Sequence, residues 1–292
     1  MLVVPGRAGL PAKVDLDVTQ RQVADCPFCP GSAATPDLYE VKLVPSGYPV
    51  VHADASSGDT TAYGLHTVFL YTSDHESRLV DQSTTRVASL FDAIAAETVR
   101  FFDDPVIEAV FGFEVSGDHF GPTVDHPHGQ LIGLTFTPRR QTLAGHPCRI
   151  CELSTQEHGA PYVVRASDAG RLFVPPFARL PFEMWLVPRR HVAGFGDLGE
   201  QETIELAWLL LTGLSACLDE NGQMPNYLLT MMQAPRGDVR HHLRIELLPL
   251  HRPNGGMKRP GGLEVGAGIY VNSMIPTDAA CLLRDHVDEA GR

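Results

Sequence analysis

The sequence contains two copies of one pattern, in which a Cys-x-x-Cys pair is followed by two histidines. The first copy consists of Cys26, Cys29, His75 and His126, and the second of Cys148, Cys151, His191 and His242. In both copies the two histidines are 51 residues apart. This agreement predicts an internal duplication. We therefore expect two similar halves, an N-terminal one over residues 1–140 and a C-terminal one over residues 141–292.

Both halves have the same predicted order of elements, namely a strand, a helix and two further strands. Apolar residues recur at spacings of three and four in the helical stretches, whereas the strand-like stretches are short and apolar. The predicted strands are 67–71, 110–115 and 126–136 in the first half and 182–188, 227–232 and 242–248 in the second. The predicted helices are 87–102 and 200–218. The sequence therefore predicts an α+β fold.

The cysteines and histidines of each copy form a ligand set typical of a closed tetrahedral zinc site. Such a site would pin a long loop to the elements that follow it, which is a structural role. The alternative is that each Cys-x-x-Cys is a redox pair or incidental. In the second copy His241 competes with His242, and the 51-residue spacing favours His242. Cys217 and Cys281 lie in apolar helical stretches and are interpreted as buried side chains.

The segment from Asp125 to Gln130 carries two histidines and a glutamine at alternate positions. Alternate residues share one face of an extended strand, so His126, His128 and Gln130 are expected to point the same way. With one ring nitrogen held by a backbone carbonyl, His128 would present the other as a nucleophile for phosphorus. Gln130 would bind a phosphate oxygen without offering a proton, which favours transfer over hydrolysis. The alternatives for His128 are a metal ligand or a satisfied core histidine.

The residues around this row extend the prediction. Gly121 and Thr123 suit a loop whose backbone approaches a phosphate closely. In the second half Arg244 and Glu246 replace His128 and Gln130, so that half is expected to keep its metal and to lack a nucleophile. Four other histidines are interpreted as surface or core residues: His52, His66, His158 and His251.

Composition and charge argue against several classes of protein. The net charge of −12 and the absence of a Lys/Arg cluster disfavour nucleic acid as a partner. Apolar stretches of the roughly 20 residues needed to span a bilayer are absent from the sequence. The first residues lack the charged and apolar regions of a signal peptide. We therefore expect a cytoplasmic enzyme without a membrane partner.

Several motifs together resemble the galactose-1-phosphate uridylyltransferase branch of the histidine-triad superfamily. They are Cys26-x-x-Cys29, Ser73-Asp74-His75, His126-Pro127-His128-Gly129-Gln130, Pro181-Phe182-Glu183 and Pro188-Arg189-Arg190-His191. The resemblance covers the chain from about Gln20 to His286. It implies two histidine-triad-like halves, each an antiparallel sheet with flanking helices, in a homodimer. It also implies that His128 is the nucleophile, that Gln130 binds phosphate, and that the first Cys/His set binds zinc.

A subgroup of this branch also carries the second Cys-x-x-Cys zinc site. The stretch from Gly261 to Asn272 resembles that subgroup, whose plant members are similar to ADP-glucose phosphorylases. We expect the glycine-rich loop at 252–272 to form part of the acceptor site, the alternative being a flexible surface loop. Gly266 and Asn272 of this loop are accordingly predicted to bind substrate, and so is Gly129 between His128 and Gln130.

The expected function is nucleotidyl transfer by double displacement through a covalent nucleotidyl-histidine. The partners would be a nucleotide sugar and a sugar phosphate, and the reaction would be of the type UDP-glucose plus galactose 1-phosphate. The alternatives are an ADP-sugar phosphorylase, a dinucleotide hydrolase, or a protein that binds nucleotide or zinc without catalysis. The nucleobase, the sugar and the acceptor stay open.

Overall fold

A computed structural model describes residues 26–55, 62–117, 124–141, 148–155, 157–254, 256–259 and 261–290. Within these residues, nine strands form one antiparallel sheet in the order β1-β2-β4-β3-β8-β9-β7-β6-β5. The strands are β1 (Lys42–Pro45), β2 (Gly64–Leu70), β3 (Ala109–Ser116), β4 (Gly129–Leu134), β5 (Val163–Ala166), β6 (Gly170–Phe173), β7 (Met184–Pro188), β8 (Tyr227–Met232) and β9 (Arg244–Pro249).

Two long helices, α1 and α3, follow β2 and β7. The helices are α1 (Thr84–Phe102), α2 (Arg149–Thr155), α3 (Glu200–Ser215), α4 (Gly262–Ala267) and α5 (Pro276–Ala290). Helix α1 begins three residues before its predicted start because the hydroxyl of Ser83 accepts a hydrogen bond from the backbone N–H of Arg86. Among the described residues, no helix combines the length and the apolar character required to cross a membrane.

The structure shows the internal duplication directly. The four strands β1-β2-β4-β3 of the first half are followed across the sheet by β8-β9-β7-β6, which is the same set in mirrored order. The halves meet where residues 111–116 of β3 pair with 227–232 of β8. These two segments are offset by 116 residues, the same offset that separates His75 from His191. The predicted α+β fold with two duplicated antiparallel halves is thus confirmed.

The sheet has two different faces. One face is covered by α1, α3 and α5, and the largest apolar core lies there, with side chains such as Phe69, Phe91 and Leu131. On the opposite face the clusters are smaller. Two of them contain the segment around a Cys-x-x-Cys pair, and in the first half Phe28 packs with Val68 and Leu70. Because β3 and β8 join both halves in one sheet, the boundary near residue 140 stays a prediction.

Two local predictions were wrong. The strand expected over residues 126–136 is shorter and begins at Gly129, so His126 and His128 precede β4 rather than belong to it. Cys281 is exposed rather than buried, because it lies on the solvent side of the amphipathic helix α5. Cys217 is buried, as expected.

Candidate metal centres and candidate active site

The first Cys/His set forms a compact cluster at one end of β2 and β4. The cluster consists of Cys26, Cys29, His75 and His126, whose ligand atoms all lie within 4.8 Å of one another. The Sγ of Cys29 is 3.3 Å from Nδ1 of His75 and 3.6 Å from Nδ1 of His126. Ligands 2.0–2.3 Å from a shared ion lie roughly 3.3–3.8 Å apart in a tetrahedron. These spacings therefore fit a tetrahedral metal ion.

The second set forms the equivalent cluster in the other half. It consists of Cys148, Cys151, His191 and His242. The Sγ of Cys151 is 3.3 Å from Nδ1 of both His191 and His242. His241 instead lies with its Nε2 3.2 Å from the carbonyl oxygen of Met232. The structure thus brings His242, and not its neighbour, to the cysteines.

The histidine rings of both clusters are held in one orientation. In each, Nδ1 faces sulfur, and in three of the four Nε2–H donates to a backbone carbonyl: His126 to Thr72, His191 to Val239 and His242 to Pro188. Such hydrogen bonds fix the tautomer in which Nδ1 offers a lone pair to a metal. In His75, Nε2 is buried without a partner among the described residues. Burial is the main cause that raises the pKa of Cys29 and of Cys151 to about 11.

His128 lies next to the first cluster in the orientation expected of a nucleophile. Its Nδ1 is 2.8 Å from the carbonyl oxygen of His126 and must donate to it, so Nε2 carries the lone pair. The ring packs against Phe28, with centroids 5.3 Å apart. Burial lowers the pKa of His128, against the opposing effect of the hydrogen bond to His126. These features favour a neutral imidazole of fixed tautomer.

Gln130 lies on β4, on the sheet face opposite α1. It pairs with Val68 of β2 and Phe113 of β3, so its side chain shares a face with theirs. Its Oε1 lies 2.9 Å from Nε2 of His66. The side-chain amide of Gln130 therefore lies two residues beyond His128, and its oxygen already has a hydrogen-bond partner in His66.

Gly129 has a packing role that its sequence position did not reveal. A Cβ at this position would lie 2.0 Å from the ring of Phe69 and 2.8 Å from the carbonyl oxygen of Phe113. The glycine thus lets Phe69 pack over β4 on the helix-covered face. A contact between Gly129 and substrate stays a prediction.

The remaining predicted substrate-binding residues lie elsewhere or outside the described part of the chain. Gly121 and Thr123 lie outside the described residues. Gly266 lies in α4 with open space around it. The amide of Asn272 donates to the carbonyl oxygens of Ala178 and Leu180, which anchors the segment after α4. None of the contacts among the described residues connects Gly266 or Asn272 with His128.

In the second half an ion-pair network occupies the positions that correspond to the nucleophile and the amide. Arg244 Nε lies 2.8 Å from Oε1 of Glu246, and Oε2 of Glu246 accepts from Arg140 at 2.6 Å and Arg179 at 2.8 Å. Burial alone would raise the pKa of Glu246, but Arg244, Arg140 and Arg179 outweigh it and hold the pKa at about 2. This network has no nucleophile.

Three side chains that contact the site were not predicted from the sequence. The hydroxyl of Tyr39 donates to the carbonyl of Phe28 at 2.6 Å and lies 3.1 Å from Nε2 of His126. Phe28 packs on His128. His66, interpreted as a surface or core residue, contacts Gln130. An alternating pattern on β2 could have placed His66 on the face of Val68, but the register against β4 was needed to bring it to Gln130.

Comparisons with known proteins agree with this geometry. No family model matches the chain. The chain is 27% identical to galactose-1-phosphate uridylyltransferase of Thermotoga maritima over 91% of either sequence. It is 22% identical to ADP-glucose phosphorylase of Arabidopsis thaliana, over 90% of this chain and 82% of that protein. The fold matches a solved uridylyltransferase structure with a TM-score of 0.85 and 24% identity over 96% of both chains. The resemblance predicted from the motifs is therefore confirmed.

Proposed function

We propose that this protein is a nucleotidyltransferase that works by double displacement through a nucleotidyl group on His128. The observation that carries the proposal is the 2.8 Å hydrogen bond from Nδ1 of His128 to the carbonyl of His126, which leaves the lone pair of the neutral ring on Nε2. Relatives that align over nine-tenths of the chain include galactose-1-phosphate uridylyltransferases and an ADP-glucose phosphorylase. The preferred reaction is therefore uridylyl transfer between hexose 1-phosphates.

The chemistry follows from the fixed ring. Nε2 of His128 attacks the α-phosphorus of a nucleotide sugar, an N–P bond forms, and the sugar phosphate leaves with the electrons of the broken P–O bond. The ring of His128 then carries a positive charge. Its Nδ1 keeps its proton and continues to donate to the carbonyl of His126, which stabilises that charge. A phosphate oxygen of the acceptor then attacks phosphorus and returns the electron pair to Nε2. The amide of Gln130 donates to a phosphoryl oxygen in both steps.

Gln130 also argues for transfer over hydrolysis, because an amide cannot deliver a proton to a leaving group or help water to finish the reaction. The intermediate would then persist until a phosphate-bearing acceptor arrives. This argument makes the dinucleotide hydrolase the weaker alternative.

The ADP-sugar phosphorylase is the second candidate. The observation that favours it is the second Cys/His cluster, which is geometrically complete. The resemblance links that cluster to the subgroup that includes plant ADP-glucose phosphorylases. The acceptor would then be inorganic phosphate in place of a hexose 1-phosphate.

We propose that Zn²⁺ occupies both clusters. Two thiolates and two imidazole Nδ1 atoms at these spacings suit Zn²⁺ in a closed, structural site. The first site would hold the segment at Cys26–Cys29 against His126 and so fix Phe28 beside His128. The second site would tie α2 to β9 in the same way.

We further propose a cytoplasmic homodimer. The resemblance implies the dimer, and the segment around α4 exposes apolar side chains that a second copy could cover: Leu263, Val265, Ile269, Tyr270 and Val271. None of the six cysteines, all of which lie in the described residues, forms a disulfide, which suits a reducing compartment. Sedimentation of the purified protein would measure the oligomeric state.

The decisive experiment is to trap the intermediate. The protein is mixed with UDP-glucose or ADP-glucose labelled in the nucleotide, denatured, and assayed for acid-labile label on His128. The wild-type protein and a His286→Asn control should be labelled, whereas His128→Asn should not, with zinc content unchanged. Label on His128→Asn at the wild-type level would contradict the proposal. A chase with galactose 1-phosphate or inorganic phosphate then identifies the acceptor.

A further inference from the structure

His66 on β2 connects the phosphate-binding amide to the loop that follows β1. Its Nδ1 accepts a hydrogen bond from the backbone N–H of Val50 at 3.1 Å. Its Nε2 lies 2.9 Å from Oε1 of Gln130. The backbone carbonyl of His66 also accepts from the N–H of Ser46, at 3.1 Å. The loop at 46–50 and the side chain of Gln130 are therefore joined through one ring.

The direction of this chain of hydrogen bonds is fixed by the backbone. An N–H group of the main chain can only donate, so Nδ1 of His66 must carry the lone pair. A neutral imidazole has one lone pair and one N–H, so Nε2 carries the proton and donates to Gln130. The oxygen of the Gln130 amide is thereby bound to His66, and its NH₂ group is turned away from that ring.

This orientation matters because the two ends of a glutamine side chain are nearly equal in shape and opposite in chemistry. The NH₂ end can stabilise a phosphoryl oxygen, whereas the carbonyl end would repel it. Without a partner that demands the oxygen, the amide could present either end to substrate.

The corresponding described residues of the second half are arranged differently. By strand register Val68 pairs with Gln130, and Trp185 pairs with Glu246. The position two residues before Trp185 is Glu183, which accepts from the indole N–H of Trp185 and binds Arg179. An imidazole facing an amide thus occurs in the half that carries His128 and is replaced by charged groups in the other.

We propose that His66 is a positioning residue that fixes the Gln130 amide with its NH₂ toward the phosphoryl group. This positioning role deepens the proposed function, and its effect on catalysis rests on that function. The competing explanation is that His66 only satisfies the N–H of Val50 and fills space on the sheet. The two differ in which of its ring nitrogens matters for the reaction.

Two substitutions separate the ring nitrogens. In His66→Asn the side-chain oxygen can take the place of Nδ1 and accept from Val50, but nothing reaches Gln130. In His66→Gln the amide N–H₂ can take the place of Nε2 and donate to Gln130. Removal of one donor to a transition-state anion costs about 100- to 1000-fold in rate, and loss of its orientation should cost less, roughly 10- to 100-fold.

The first measurement is single-turnover formation of the nucleotidyl-enzyme. We expect His66→Asn to slow this step roughly 10- to 100-fold with little change in KM or zinc content. His66→Gln should recover most of the rate, and His286→Asn should match the wild-type protein. A wild-type rate in His66→Asn, or an equal loss in both His66 variants, would overturn the proposal.

The second measurement does not depend on activity. Long-range ¹H–¹⁵N correlation spectra of the wild-type protein report which ring nitrogen of His66 is protonated. We expect the proton of the His66 ring on Nε2. We also expect one sharp pair of side-chain amide resonances for Gln130 in the wild-type protein, and a broadened or split pair in His66→Asn. A proton on Nδ1, or on both nitrogens, would refute the positioning role even if labelling succeeded. If no nucleotide sugar labels the wild-type protein, the proposed function fails, and the spectra alone decide the role of His66.

Discussion

Glu114 on β3 accepts a hydrogen bond at 2.8 Å from the hydroxyl of Tyr227 on β8, across the junction of the two halves. The same carboxylate oxygen accepts from Tyr71 at 2.9 Å, whereas Oε2 has no partner among the described residues. Burial raises the pKa of Glu114 to about 7, although both phenols act to lower it. The halves are therefore joined around a carboxyl group that ionises near neutrality.

The raised pKa of Glu114 predicts that the free energy of unfolding of the protein falls as the pH rises. Because the folded-state pKa exceeds the unfolded value near 4.5, the contribution is fully present at low pH and is lost as pH rises to about 7. A difference of this size corresponds to roughly 3 kcal/mol. Relative to the wild-type protein, Glu114→Gln should therefore gain stability between pH 5.5 and 8, as measured by denaturant unfolding. A difference in unfolding free energy that stays constant with pH would contradict this prediction.

The structure predicts that replacing Gly129 even by alanine destabilises the fold. The added methyl group would collide with the buried ring of Phe69 and with the backbone carbonyl of Phe113 on β3, so the packed ring and the strand would both have to shift. Overpacking of this kind typically costs about 1–3 kcal/mol. Urea unfolding of Gly129→Ala should show such a loss, whereas Gly262→Ala, with nothing within 4 Å, should stay within about 0.5 kcal/mol of the wild-type protein. Equal stability of the two variants would exclude the packing role.

The two clusters should differ in how readily they lose metal. In the first, His75 and His126 are buried, whereas in the second His191 is exposed and both cysteines are partly exposed. We expect the wild-type protein to bind two zinc ions per chain, and Cys29→Ser and Cys151→Ser to bind one each. During dialysis against EDTA, elemental analysis should show that Cys29→Ser, which keeps the second site, loses its metal faster than Cys151→Ser. The reverse order would contradict this interpretation.

The spacing of the cysteines and histidines predicted more of the fold and of the site than the periodicity of the apolar residues did. The equal distances between His75 and His126 and between His191 and His242 identified the duplication and both clusters, because metal ligation demands particular residue types at positions fixed by the fold. The start of β4 was missed because the chain bends at His126 and pairs with the neighbouring strands only from Gly129 onward. His66 was missed because the register of β2 against β4 depends on side-chain packing that no single segment contains.

The same limit explains the second half. The sequence showed that Arg244 and Glu246 replace the reactive row, but not that Arg140 and Arg179 reach them from elsewhere in the chain. Long-range ion pairs have no local signature. They nevertheless explain how this half can bury a carboxylate at a position where the other half has a neutral amide.

The network around Glu246 predicts a large loss of stability when its carboxylate is neutralised. Glu246 is fully buried, and Arg244 and Arg179 are largely buried beside it. Glu246→Gln would leave the buried guanidinium group of Arg244 without its counter-charge, whereas Arg179 keeps its ion pair with Glu183. Breaking a buried pair in this way typically costs about 3–5 kcal/mol. The matched control is Glu202→Gln, which removes a partly exposed pair with Arg190 and should cost at most about 1 kcal/mol. Guanidinium unfolding at pH 7.5 measures both.

The depressed pKa implies that the contribution of Glu246 is present above about pH 4.5 and is lost as the pH falls toward 2. A Glu246→Gln protein as stable as the Glu202→Gln control would show that the network contributes no net stability.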